Sequence, residues 1–379
     1  MSKTGKLKFT DGDLLGSLQE FFEAILSLDE IEAILVPQVL PAKNMVMPTL
    51  VSDPAQLSAV NPLAPCFPIN GAKAASRLTR KSAGGTIAVV LRPCEIRAFI
   101  ELVKLHQGST EEILLIGFDC LGAFSNADYF KISAGNISDM TLMFCKEAVK
   151  GTAGALEGVE IAKACRACEQ PTAQGADLSI GLFGMDIDSE LLIEARTEKG
   201  AMFFDRLEIP AGGAPAGRED ALQGLIAART EFRDRMFAET AEAVESIGKL
   251  STYLANCVNC YNCRVACPVC YCKECVFTTD VFAHEPSQYL QWARRKGKIK
   301  MPTDTTFYHI TRIAHMSTAC VGCGQCSNAC PNDVPVMELF RTLAWRTQKA
   351  FDYAAGRSLE EKPPLSEFRE HEFTEVVGI

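Results

Sequence analysis

The chain of 379 residues contains no run approaching the about eighteen apolar residues of a membrane-spanning helix. Met1 to Asp13 is polar and holds no apolar signal-peptide core. Basic charge is not in excess: 38 Lys and Arg stand against 47 Asp and Glu, a net charge of −9, which argues against nucleic acid as the main partner. No G-x-G-x-x-G follows a strand candidate. GLFG at 181–184 and AGGAPAG at 211–217 do not fit, so a Rossmann nicotinamide site is unsupported, although a nicotinamide could still stack on a flavin. Histidine is scarce, at five residues. His309 and His315 are six apart, poor spacing for a shared metal, and His106 closes a helix, where its charge suits the dipole. Neither a carboxylate pair nor a nucleophile–base set stands out. No catalytic side chain is assigned, and chemistry falls to bound cofactors.

Cysteine is the residue present in excess, at seventeen. The run C-x2-C-x2-C-x3-C-P occurs twice: Cys257, Cys260, Cys263, Cys267 and Pro268, then Cys320, Cys323, Cys326, Cys330 and Pro331. Bacterial-type ferredoxins hold cubane clusters with this run, the fourth cysteine of each crossing to the other cluster. The proline stops local helix and turns the chain away. Two 4Fe-4S clusters are expected, with structural zinc the competing use of such thiols. Without an export signal, so many cysteines read as metal-binding thiolates in a reducing cytoplasm rather than as disulfides.

Apolar periodicity predicts a helix at 14–27 and a strand at EAILVP (32–37), then a proline-rich irregular stretch from Pro37 to Pro68. A helix from Gly71 to Lys81 would carry Lys73, Arg77 and Arg80 on one face. Strand 86–91, helix 95–106 and strand 113–118 read as a parallel β-α-β unit. Further strands are expected at 178–183 and 190–197, and a long amphipathic helix from Arg218 to Glu245. Helices follow at 287–295 and 305–318, the latter with Asp304 or Thr303 as N-cap, and at 336–355, closed by Gly356. The 52 residues between the two cysteine runs are too many for a compact small ferredoxin. The expected fold is an α/β N-terminal domain with a partly parallel sheet, followed by a mostly α-helical dicluster ferredoxin-type module. The divisions are 1–215, a connector at 216–249, the module at 250–356 and a tail at 357–379.

Cys94 follows the first strand of the β-α-β unit and Cys120 the second, so both should emerge on one sheet edge. With Cys165 and Cys168 they make a candidate four-thiolate set for a third cluster. The alternative is that Cys94 and Cys120 are small core residues, as Cys66 and Cys145 are expected to be. Cys270, Cys272 and Cys275 crowd behind the first run. Three cysteines in six residues point to metal. They would recruit Cys66 or Cys145 for a fourth cluster, or offer alternative ligands to the first.

The strings GTIAVVLRPCEIRAFIEL, ILLIGFDCLG and CRACEQPTAQGADLSIGLFG, in that order, resemble the beta-subunit family of coenzyme F-420-reducing hydrogenases and F-420-linked formate dehydrogenases. The resemblance covers roughly residues 60–200, and the dicluster module is most like the formate-dehydrogenase branch. It implies an FAD-containing oxidoreductase subunit that exchanges hydride with F-420 or NAD(P)H and passes single electrons into clusters. Redox partner subunits in a hetero-oligomeric complex, a formate dehydrogenase, hydrogenase or heterodisulfide-reductase-like protein, would take them. Asn70-Gly71-Ala72-Lys73 is similar to the family's small-small-Lys turn, which places Gly71, Lys73 and Arg77 near a flavin pyrophosphate. A solvated basic face is the plainer account of the same residues. The family's glycine-rich opening is missing, and Arg92 stands where the family often has a small residue. Two other readings stay in view: a flavin-free, polyferredoxin-like adaptor between two enzymes, and a zinc scaffold.

Overall fold

The structure is a computed structural model and describes residues 3–9, 12–133, 136–150, 155–156 and 158–366. Most of the expected tail, and His371 with it, lies outside the described residues. Among the described residues there are nine strands: β1 (Lys3–Lys8), β2 (Ile31–Val39), β3 (Val46–Val51), β4 (Thr86–Leu91), β5 (Ile113–Phe118), β6 (Ala155–Leu156), β7 (Val159–Glu160), β8 (Leu178–Gly181) and β9 (Glu190–Ala195). Seven form one mixed sheet in the order β1-β9-β8-β5-β4-β2-β3, and β6 and β7 form a separate ribbon. The pairs β2–β4, β4–β5 and β5–β8 are parallel, while both edges close with antiparallel partners.

The central strands are buried on both faces, which is why TIAVVL and ILLIGF are unbroken apolar runs. Their side chains alternate between two cores. Ala88, Val90, Leu114 and Ile116 pack with the helix Leu14–Leu26. Val89, Leu91, Ile113 and Leu115 pack with the helix Pro93–Lys104 and with C-terminal residues such as Leu339 and Phe340. That second helix starts sharply. Pro93 presets its first turn, and Glu95 accepts a hydrogen bond from the Arg92 N–H at 2.8 Å.

Two expectations are corrected, and one strand was not expected. Residues 37–68 are not all irregular, because β3 forms there as an edge strand, where Pro48 forfeits no ladder bond that a central strand would need. The polar segment Lys3–Lys8 is the opposite edge strand, paired with β9. The helix expected over 71–81 spans only Ala72–Leu78. It stops where Thr79 Oγ1 bonds back to Ala75 O and the chain then turns to meet Glu112, which accepts from Ala83 N at 2.8 Å.

Beyond the sheet the chain is helical, beginning with Arg218–Ala243 and including Thr305–Met316 and Val336–Ala350. Arg218 anchors the first of these. It is buried, and its Nη1 donates to Asp119 Oδ2 at 2.6 Å. The helical region lies directly on the α/β domain. Arg97 Nε donates to Ala355 O at 2.9 Å, and Gln325 Nε2 to Phe67 O at 2.7 Å. Among the described residues no helix is long and apolar enough to cross a membrane.

Candidate metal centres

Twelve cysteines fall into three sets of four, each around a hollow, and Cys323 of the second set also lines the third hollow. Cys257, Cys260 and Cys263 share one of about 330 Å³ with Cys330. Cys320, Cys323 and Cys326 share another, of about 420 Å³, with Cys267. In both, the fourth cysteine comes from the other run. The third hollow, about 450 Å³, is lined by Cys94, Cys120, Cys165 and Cys168. The strip Val321-Gly322-Cys323 walls both the second and the third, so these two adjoin.

Backbone geometry shapes the first two hollows alike. Asn259 and Tyr261 have φ of 49° and 61°, and the equivalent Gly322 and Gly324 have 71° and 80°. Left-handed turns of this kind make concave nests of backbone N–H groups, which suit iron–sulfur sites. Gly324 is further required by crowding, since a Cβ there would fall 2.5 Å from Ala164 Cβ. Ala164 belongs to the short helix Lys163–Arg166 that carries Cys165.

Sheet topology assembles the third hollow. Cys94 and Cys120 follow the parallel neighbours β4 and β5, and Pro171 O accepts from Cys120 N at 2.7 Å, drawing in the Cys165–Cys168 segment. Burial, then repulsion among neighbouring thiolates, pushes Cys94 and Cys326 well above the usual thiol range and Cys165 up to about 11. Four thiols gathered in such a place need cationic partners to be held as thiolates. Among the described residues no three His, Cys, Asp or Glu side chains converge on a single metal ion. The thiols stand around hollows instead, as ligands to separate irons of a cube must. The donor sets fit 4Fe-4S clusters.

Polar side chains that spacing alone did not reveal contact the sulfurs. Arg312 Nη1 donates to Cys263 Sγ at 3.1 Å, Tyr308 Oη lies 3.5 Å from the same sulfur, and His309 Nε2 lies 3.4 Å from Cys257 Sγ. All three sit on the Thr305–Met316 helix. Burial, and then Arg312 and Lys300, push His309 down to about 4, so its ring is neutral. At the third hollow the buried Arg92 extends Nη1 to 4.0 Å from Cys120 Sγ, and Nη2 donates to Ala64 O at 2.7 Å.

The residues expected to hold a flavin are otherwise engaged. Gly71 N donates to Glu95 Oε1 at 2.6 Å, so the helix start is already capped, and a Cβ at Gly71 would press on Leu91 at 2.9 Å. Lys73 Nζ donates to Val265 O at 2.9 Å, between Cys263 and Cys267, and Arg77 is exposed. Gly71 and Lys73 thus have partners within the chain, while Arg77 stays open to solvent. Cys270, Cys272 and Cys275 line none of the three hollows. Cys270 and Cys275 pack against the C-terminal core and Cys272 is exposed, whereas Cys66 and Cys145 lie in the core on the opposite face of the sheet. The sheet between them keeps the expected fourth set apart. A wider groove of about 1450 Å³, lined by Lys163, Arg166, Asn328 and Glu338 among others, runs beside the hollows.

Fold and site together define a mixed α/β protein bearing three four-cysteine hollows. Residues 84–210 match the family described as the C terminus of the coenzyme F420 hydrogenase/dehydrogenase beta subunit, and residues 314–336 match the 4Fe-4S binding domain. F420-dependent formate dehydrogenase subunit beta of Methanocaldococcus jannaschii is 25% identical over 344 residues, 84% of this chain and 85% of that protein. F420-dependent formate dehydrogenase 1 subunit beta of Methanococcus maripaludis is 22% identical over 307 residues, 74% of this chain and 75% of that protein. A chain of the F420-reducing NiFe hydrogenase complex from Methanosarcina barkeri is similar at a TM-score of 0.45 and 14% identity, covering 65% of this chain and 94% of that one. The resemblance read in the sequence holds: the chain is similar to beta subunits of F420-dependent formate dehydrogenases, and residues 84–210 match the F420 hydrogenase/dehydrogenase beta-subunit family.

Proposed function

We propose that this chain is an electron-transfer subunit of a hetero-oligomeric oxidoreductase, and that three 4Fe-4S clusters occupy its hollows. The observation that carries this reading is the grouping of twelve cysteines, four by four, around adjoining hollows. The Cys94, Cys120, Cys165 and Cys168 cluster sits in an α/β domain over 1–215. The other two lie in a dicluster module over 250–356, joined by a connector at 216–249. The protein holds the thiolates, shields most of them from water and aims hydrogen bonds at some of their sulfurs. Single electrons pass between the α/β domain and a partner subunit that carries the substrate chemistry.

The relatives' names bring F420 dependence with them, and support a finer reading in which FAD trades a hydride with F420 or NAD(P)H and feeds the clusters. The engagement of Gly71 and Lys73 by partners within the chain lends that flavin no support. That observation favours the second reading, a flavin-free adaptor between two enzymes. Anaerobic purification followed by flavin and iron analysis separates them. Stoichiometric flavin supports the hydride-exchanging subunit and its absence the adaptor, while about twelve irons per chain support three cubanes. Given flavin, stopped-flow reduction with NADH, NADPH and reduced F420 names the carrier.

A further inference from the structure

Arg312 reaches both ferredoxin-type cysteine sets. On the side of the first run, Nη1 donates to Cys263 Sγ at 3.1 Å and Nη2 to Cys263 O at 3.2 Å. The same side chain lines the hollow of Cys267, Cys320, Cys323 and Cys326. The residue is 4% exposed, and its guanidinium lies 4.7 Å from the Phe340 ring centroid and 5.5 Å from that of Tyr308. Its Nε is buried and has no hydrogen-bond partner among the described residues. Arginine cannot shed its proton or accept a hydrogen bond. A buried cation of this kind needs an anion beside it. Among the groups that favour its charged form are the sulfurs of Cys263, Cys267 and Cys326. Its counter-charge therefore includes sulfur, drawn from both cysteine sets.

We propose that Arg312 is an electrostatic bridge shared by the two ferredoxin-type clusters, and that it raises the reduction potential of both. This rests on the reading that clusters occupy these hollows. Each cluster takes up one electron and becomes more negative by one charge, and no bond is made or broken in the protein. A fixed positive charge with N–H groups aimed at sulfur stabilises the reduced form more than the oxidised one. The free Nε–H is the donor left over for the cluster in the second hollow.

The test uses the full chain, purified anaerobically as wild type, Arg312→Met and Arg312→Lys, with iron per chain measured beside an EPR-monitored potentiometric titration. In a fully loaded Arg312→Met protein, both dicluster couples should fall by at least a tenfold change in the reduced-to-oxidised ratio, about 59 mV for a one-electron couple. The couple of the third cluster should stay put. Arg312→Lys keeps the charge but loses the fork, and should show a smaller fall. Wild-type couples in loaded Arg312→Met overturn the bridge. If Arg312→Met fails to retain iron, Arg312→Lys decides: lowered midpoints with full iron support the bridge, whereas unchanged midpoints or lost iron overturn it and leave Arg312 a scaffold residue. A wild-type protein without iron overturns the cluster reading itself, a result distinct from any of these.

Discussion

The Lys73 ammonium donates to the Val265 carbonyl at 2.9 Å and so ties the α/β domain to the short helix Asn262–Ala266, which runs between the last two cysteines of the first run. Lys73 is half-buried, and burial holds its ammonium below the usual lysine range despite the nearby Cys267 and Cys270. Its role is a strap. Lys73→Met should cost about 1–3 kcal/mol, the range for a hydrogen bond to a charged group. A lower thermal midpoint with unchanged flavin content, whatever that content is, is the expected result. A flavin loss that tracks the substitution would restore the pyrophosphate assignment.

Iron analysis of cysteine variants tests the grouping of thiols. Cys323 lines two hollows, so Cys323→Ser should lose about four irons and disturb the neighbouring cluster's EPR signal. Cys272 is exposed and outside every hollow described, so Cys272→Ser should keep wild-type iron. Iron lost from the Cys272 variant would mean that the crowded cysteines behind the first run are ligands after all.

Much of this was legible beforehand, and the reasons differ by element. β4 and β5 were plain because a strand covered on both faces must be apolar throughout. The edges β1 and β3 were not, since lysines and a proline are tolerated there and erase the period. The cysteine runs announced themselves because three ligands fall on one short loop. The set built from Cys94, Cys120, Cys165 and Cys168 needed sheet topology to bring it together. Arg312 and His309 left no signature, because a donor to sulfur obeys no fixed spacing. The bond from Gly71 N to Glu95 was not legible either, because it joins residues 24 apart that only the fold brings together.

Asp119 and Arg218 form a buried pair at the end of β5, one residue before Cys120. Asp119 Oδ2 also accepts from Leu182 N at 2.8 Å and Phe183 N at 3.1 Å. Arg218→Ala leaves this carboxylate buried without its cation and should destabilise by about 3–5 kcal/mol. Urea unfolding followed by circular dichroism provides the number. A change below about 1 kcal/mol would place the pair among ordinary surface bridges.

Removing iron leaves twelve thiols around the hollows, most of them part-buried or buried. Ferricyanide oxidation with a chelator should therefore lower the melting temperature sharply and open the helical region first. The seven-stranded sheet has its own core on the face opposite these helices and should unfold later. Hydrogen exchange read separately on peptides from 86–118 and 305–350 distinguishes the two. Simultaneous loss of protection in both would show that the sheet depends on the clusters as well.

The paired left-handed positions carry a last consequence. Where the second run has Gly322 and Gly324, the first has Asn259 and Tyr261. The glycine copy is the one pressed against Ala164 of the α/β domain, with no space for a side chain. The other copy is partly open, with Cys260 exposed and Val258 and Val265 more than half exposed, while Asn259 is buried and bonded to Asp304 and Thr305. The two copies of one motif are thus unequal: the glycine copy packs against the α/β domain, and the other leaves its second cysteine, Cys260, at the surface.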